Sequence, residues 1–174
     1  MPTPEQTIAF RIYKNAGPLL GVATAELPQV GLVTDTISGS GIAGEYESPA
    51  MGQTSSMTCK LTWISQTAHF YDLLDESSGT QLELRASVQQ ADETTGLRKS
   101  VGLRVSLIGA LKSAPLGSLE TGKKQGNETE LEVTRLRVEL GGAEKLLIDK
   151  LAMLYRVNGN DALKAVREQL GLEY

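Results

Sequence analysis

Cysteine and histidine are all but missing: the 174 residues hold one of each, Cys59 and His69. A lone cysteine can neither close a disulfide within the chain nor build a zinc site. A lone histidine leaves general-base and metal chemistry short of their usual side chains. Basic charge is not in excess either, with 17 Lys and Arg against 21 Asp and Glu for a net charge of -4. That balance disfavours a surface that holds nucleic acid through its phosphates. No apolar run approaches the length of a membrane span. The opening residues Met1-Pro-Thr-Pro-Glu-Gln lack a basic region followed by an apolar one, so no secretory signal is expected. Hydrophobic residues still make up 40% of the chain, enough for an ordinary globular core. Length predicts one domain over residues 1–174.

What is present reads mostly with a period of two. Ile8, Phe10 and Ile12 alternate with Ala9, Arg11 and Tyr13, and Asn15-Ala-Gly-Pro18 supplies a turn. A second strand is expected from Leu19 to Leu27, stopped by Pro28. Met57, Cys59, Leu61 and Trp63 share one strand face. Ser65 then reads as the N-cap of a helix over 66–76, with Phe70, Leu73 and Leu74 as its apolar stripe. Leu82, Leu84, Ala86 and Val88, then Val101, Leu103, Val105 and Leu107, predict a long hairpin with one apolar and one polar face. A loop over 111–127 follows. In the next strand the apolar phase slips after Thr134, which predicts a β-bulge. Gly141-Gly142 turns the chain into a strand over 146–155. Asn158-Gly159 turns it again, Asn160 reads as a helix cap, and Leu163, Val166 and Leu170 form the stripe of a helix over 160–172 that Gly171 ends. The expected fold class is mainly β with attached helices: an antiparallel sandwich or barrel with a short flanking helix and a C-terminal helix.

The segment 31–56 is rich in Gly, Ser and Thr yet carries Val33, Ile37, Ile42 and Tyr46 at intervals. A structureless stretch of that length is uncommon in a compact domain. It is therefore expected to be an extended hairpin that buries its apolar residues against something else, another subunit being one candidate. Within it, Gly39-Ser-Gly-Ile-Ala-Gly44 fits a dinucleotide-binding fingerprint by letter, but no strand leads in and no helix opens within it. Gly122-Lys-Lys-Gln-Gly126 lacks phosphate-loop spacing and reads as a solvated turn. Cys59, on an apolar face, reads as buried and inert. Asp72, Asp75 and Glu76 cluster where the mid-chain helix ends. Carboxylates there oppose the helix dipole, so the cluster reads either as a solvated face or as a docking patch for a basic partner. No catalytic residue, metal or cofactor is expected.

The ordered set of motifs resembles the major tail tube proteins of contractile-tailed phages and the tube proteins of R-type bacteriocins. Glu26-Leu-Pro-Gln29 leading into the Gly39–Gly44 segment carries the first part of the likeness. Met57-Thr-Cys-Lys-Leu-Thr-Trp63 followed by a short helix carries the second. Gly122-Lys-Lys-Gln-Gly-Asn-Glu-Thr-Glu130, Leu147-Ile-Asp149, Val157-Asn-Gly159 and the terminal Leu170-Gly-Leu172 carry the third. The resemblance implies a non-enzymatic structural subunit with a fold similar to the type VI secretion tube. Such subunits form homohexameric rings that stack into a hollow tube, the inner strands of six copies joining in one barrel. Sheath protein, tape-measure protein, baseplate hub and tail terminator are the implied partners, with DNA at most in transit and no membrane insertion. The implied location is the host bacterial cytoplasm during assembly, then a virion tail or bacteriocin particle. On this reading Ile37, Gly39, Gly41, Ile42, Gly44 and Tyr46 form the contact between subunits or rings. Asp72, Asp75 and Glu76 would face the sheath, a polar face such as 81–89 with 99–111 suits a wet lumen, and a net acidic protein would not hold passing DNA. Two alternatives stand beside it: a tube protein of a type VI-like system, and a small nucleotide-binding enzyme.

Overall fold

The computed structural model describes residues 2–75, 77 and 79–172. The chain runs β1 (Pro2–Lys14), β2 (Gly17–Leu19), β3 (Val22–Glu26), β4 (Leu32–Ser38), β5 (Glu45–Thr54), β6 (Thr58–Trp63), α1 (Ala68–Leu74), β7 (Thr80–Asp92), β8 (Arg98–Ser113), β9 (Glu128–Leu140), β10 (Ala143–Asp149), β11 (Leu154–Val157), β12 (Asn160–Asp161) and α2 (Lys164–Gln169). All strand pairs among the described residues are antiparallel. The expected fold class is what forms: a β structure with two short helices.

The main sheet runs β12-β11-β10-β9-β8-β7-β1-β2, with β6 and β3 added beside β9. It forks along β9. Residues 128–132 of β9 pair with β6, and residues 135–140 pair with β10. Between the two halves the phase slips as the apolar pattern predicts. Ile108 opposes Arg135 while Gly109 opposes Val133, so Thr134 is the extra residue of a bulge. Both branches are stitched at this point: Val133 N–H donates to Met57 O at 2.7 Å and Lys150 N–H to Thr134 O at 3.0 Å. The bend brings β9 so close to β8 that a Cβ on Gly109 would lie 2.2 Å from Glu132 O. No other residue type fits there without breaking the ladder.

The fork lets β6 and β3 fold over the apolar face of β7, β8 and β1. Cys59, Leu61 and Trp63 meet Leu82, Leu84, Val105 and Leu107, with Leu131, Val133 and Leu136 at the hinge. Fully burying each of these large side chains is worth roughly 1.5–3 kcal/mol. Trp63 and Phe70 of α1 pack edge to face at 5.5 Å. The Trp63 indole N–H donates to Thr129 Oγ1 at 2.9 Å, so the buried ring keeps its polar partner.

Several boundaries differ from the periodicity. The strand expected over 19–27 is broken at Gly21, whose φ of 98° suits glycine, into β2 and β3. The strand expected over 146–155 is broken by a turn at 150–153. There the Asp149 carboxylate accepts from the N–H groups of Leu151 and Ala152, making a turn the local side chains do not advertise. The mid-chain helix is shorter than 66–76, and its cap is Thr67, not Ser65; Thr67 Oγ1 accepts from Phe70 N–H. Asn160 caps no helix. It sits in β12, and α2 starts at Lys164. On α2, Leu163 at the entry is buried, but Leu170 is 60% exposed and Arg167 takes the inner place at 9%. Arg167 Nη2 donates to Asp161 Oδ2 at 2.6 Å, which with the Leu163 N–H holds the Asp161 carboxyl below the usual carboxylate range. Gly171 does end the helix. Leu172 N–H reaches Arg167 O and Gly171 N–H reaches Glu168 O, the paired bonds of a Schellman cap.

Candidate self-assembly surface

Strands β4 and β5 form a two-stranded sheet of their own. Its stem is closed by Ser55, whose N–H and Oγ both donate to Gly31 O, and is tied to the body by Lys150 Nζ, which donates to Ser55 O at 2.9 Å. On β5 the ladder then jumps, Leu32 facing Thr54 but Thr34 facing Pro49. The loop-out carries Gly52 at φ 67°, where a Cβ would lie 2.6 Å from Leu163 Cγ. Beyond this clamp the hairpin leaves the body.

Its far half is amphipathic. Ile37 and Tyr46 are cross-strand partners, and Asp35 with Ser48 stands on the same face two residues along; Thr36 with Glu47 and Ser38 with Glu45 form the other. Ile37 is 36% exposed, Ile42 39% and Tyr46 54%, since no other element among the described residues covers them. At the tip Gly39, Gly41 and Gly44 adopt φ values of 155°, 91° and 111°, and an added Cβ would meet nothing within 4 Å. Ile42 N–H donates to Gly39 O and Gly44 N–H to Ile42 O, closing a turn that runs straight into β5. The six glycine-rich hairpin residues are thus brought together at one projecting end. The same geometry supplies no helix N-terminus for a dinucleotide phosphate.

The acidic cluster is less concentrated. Asp72 and Asp75 border a cleft with Lys14, Asn15 and His69. His69 Nδ1 lies 3.3 Å from Asp72 Oδ2, and Lys14 Nζ donates to Asp72 O. The Asp75 carboxyl is held below its usual range by the hydroxyl and N–H of Ser77. Glu76 lies outside the described residues. Cys59 is buried, and desolvation with the nearby Glu26 pushes its thiol up to about 12. Lys123 turns back onto Glu120 at 2.7 Å within a solvated loop.

The polar face of the long strands carries a lattice of opposite charges that the alternation alone could not pair. Arg104 bridges Glu83 at 3.2 Å and Glu139 at 3.7 Å; Arg137 bridges Glu139 at 2.8 Å and Glu144 at 3.0 Å. Exposed pairs of this kind are individually worth little. Together they tie the polar faces of β7, β8, β9 and β10 to one another. Among the described residues strand β1 also has a free edge: β7 pairs along its length, while β2 covers only Ile12 to Lys14 on the other side. No group of three or more potential metal ligands occurs among the described residues. No helix among them is long and apolar enough to cross a membrane.

A hairpin with nothing to cover it and a long open strand edge are features of a protein that completes itself with others. The family of phage tail tube protein FII matches the sequence over residues 4–171. The chain belongs to this family. No curated protein sequence matches it. As a tail tube protein FII member it is a structural subunit of a virion tail, assembling into a tube with other tail components. The match to tail tube protein FII spans the projecting hairpin, α1, the forked sheet and the Schellman-capped α2 alike.

Proposed function

We propose that this chain is a non-enzymatic building block that closes homohexameric rings and stacks them into a hollow tube inside a contractile sheath. All 174 residues act as one tube-building unit. The β4–β5 hairpin carries the reading. A two-stranded hairpin is marginal in water by itself, yet this one exposes Ile37, Ile42 and Tyr46 at its far end. A neighbouring subunit supplies the missing contacts, through Ile37, Gly39, Gly41, Ile42, Gly44 and Tyr46. The contact is head to tail, so it propagates as a filament. Ring closure also removes the liability of the open β1 edge. The ion-paired face of β7, β8 and β9 lines the lumen. Tape-measure protein, baseplate hub and tail terminator meet the tube at its interior and ends, and DNA at most passes through. Assembly takes place in the bacterial host before the tail is complete.

Negative-stain electron microscopy of the purified protein over a concentration series tests this directly. Six-fold rings or hollow tubes are expected at the upper end of the series. Uniform monomers throughout, even with purified baseplate present as a nucleus, would overturn it.

The α1 end, with Asp72, Asp75 and Glu76, faces the sheath. Replacing Asp72 and Asp75 by Lys is expected to leave tubes intact but lower sheath decoration about tenfold, as like-charge contacts across an interface do. Undiminished decoration would refute the assignment.

A further inference from the structure

Burial on the apolar face of β1, β7 and β8 ends abruptly. The register row Ile12–Leu84–Val105 is buried under β3 and β6. The next row out, Phe10–Ala86–Leu103, is half-exposed, and so is Val88–Val101 beyond it. These rows continue the core face past the end of its cover. A groove of about 280 Å³, lined by Phe10, Leu27, Ala86 and Leu103 among others, marks the border. One row further the same face ends in Gln90 opposite Lys99. Alternation puts Lys99 on the side of Val101 and Leu103, the one charged residue of the three uncovered rows.

The hairpin is the counterpart of this surface in apolar character and in charge. Its apolar face pairs Ile37 with Tyr46 and carries one charge, Asp35. Residues 32–54 contain Asp35, Glu45 and Glu47 and no Lys or Arg. Among the described residues Asp35 has no partner but the N–H of Thr36, and Lys99 makes no ion pair. Each of these two apolar faces therefore bears a single unanswered charge, of opposite sign, beside aliphatic and aromatic side chains.

We infer that the uncovered rows of β1, β7 and β8 are the acceptor for the β4–β5 hairpin of a second copy, with Ile37 and Tyr46 over the Phe10–Leu103 groove and Asp35 paired to Lys99. This rests on the self-assembly reading and names the surface that receives the hairpin. The pair adds register to an otherwise greasy contact, since a slip of one residue would turn Asp35 and Ile37 to the opposite face.

The test uses the full chain with D35K, K99D, the double variant, and a 1:1 mixture of the two single variants. The readout is the fraction pelleted as assemblies, checked by negative stain, against wild type. Each single variant should lower that fraction about tenfold, because it sets like charges face to face. Both sites are exposed, so thermal unfolding of the subunit should stay near that of wild type. The double variant and the mixture should both recover to about wild type; in the mixture every hairpin can meet an acceptor of opposite charge on another chain. Singles that assemble like wild type, or a double no better than the singles, overturn the pairing. Recovery in the double but not in the mixture overturns the second-copy assignment and puts the contact within one chain. Wild type that never assembles overturns the self-assembly reading itself, which the other outcomes leave standing.

Discussion

Gly109→Ala should destabilise the subunit by about 3 kcal/mol or more, at the upper end of what overpacking costs. At a few degrees per kcal/mol for a chain of this size, the unfolding midpoint should fall by about 6–12 °C. The argument is steric. The added methyl would stand 2.2 Å from Glu132 O and 3.1 Å from Glu132 C. Both obstacles are backbone, so no rotamer change relieves them. Relief requires β8 and β9 to part at the bulge. That is also where β6 and β10 are attached, through Val133 N–H to Met57 O and Lys150 N–H to Thr134 O. Local separation would therefore loosen the cover over Leu107 and Leu131. Gly102, on the same strand, meets nothing within 4 Å of an added Cβ and is the control: Gly102→Ala should change the midpoint little. Equal midpoints for the two variants, by calorimetry or circular dichroism, would show that the fork is not the fixed point described.

The same fork shows how far the sequence could be read. The slip from Leu131 and Val133 to Leu136 and Val138 is visible as a change of phase, because a bulge moves every later side chain to the other face. That one ladder switches partners there is not visible, since hydrogen-bond partners leave no mark on alternation. The turn at 150–153 is hidden for a different reason. Leu151, Ala152 and Met153 are apolar, and the turn signal is the Asp149 side chain just before them. On α2, helical spacing favours Leu170 as an inner residue. The inner place goes to Arg167 because Asp161, on the strand before the helix, neutralises it. The projecting hairpin was legible from apolar residues dispersed in a Gly, Ser and Thr background. The uncovered rows of β7 and β8 were not. Val101 and Leu103 alternate just as Val105 and Leu107 do, and only the reach of β3 and β6 decides which rows are covered.

Cutting the hairpin back to its clamp should separate folding from assembly. Replacing residues 35–48 by Asn-Gly joins Thr34 to Pro49 through a two-residue turn suited to antiparallel strands. The clamp of Gly31, Gly52, Ser55 and Leu163 is kept. No residue of the removed segment belongs to the buried core cluster, so the unfolding midpoint should move by no more than about 3 °C, the scale of a surface change. Association should suffer heavily. Ile37, Ile42 and Tyr46 each have about half of a full burial still to gain, roughly 1 kcal/mol apiece. Losing about 3 kcal/mol per contact weakens each subunit–subunit step about a hundredfold. Because the proposed ring closes through several such steps, rings and tubes should vanish at concentrations where wild type is fully assembled. Sedimentation velocity would read the outcome as a single folded monomer peak. Tubes forming at the wild-type concentration would mean that the open β1 edge alone joins the subunits, and that the hairpin serves something other than assembly.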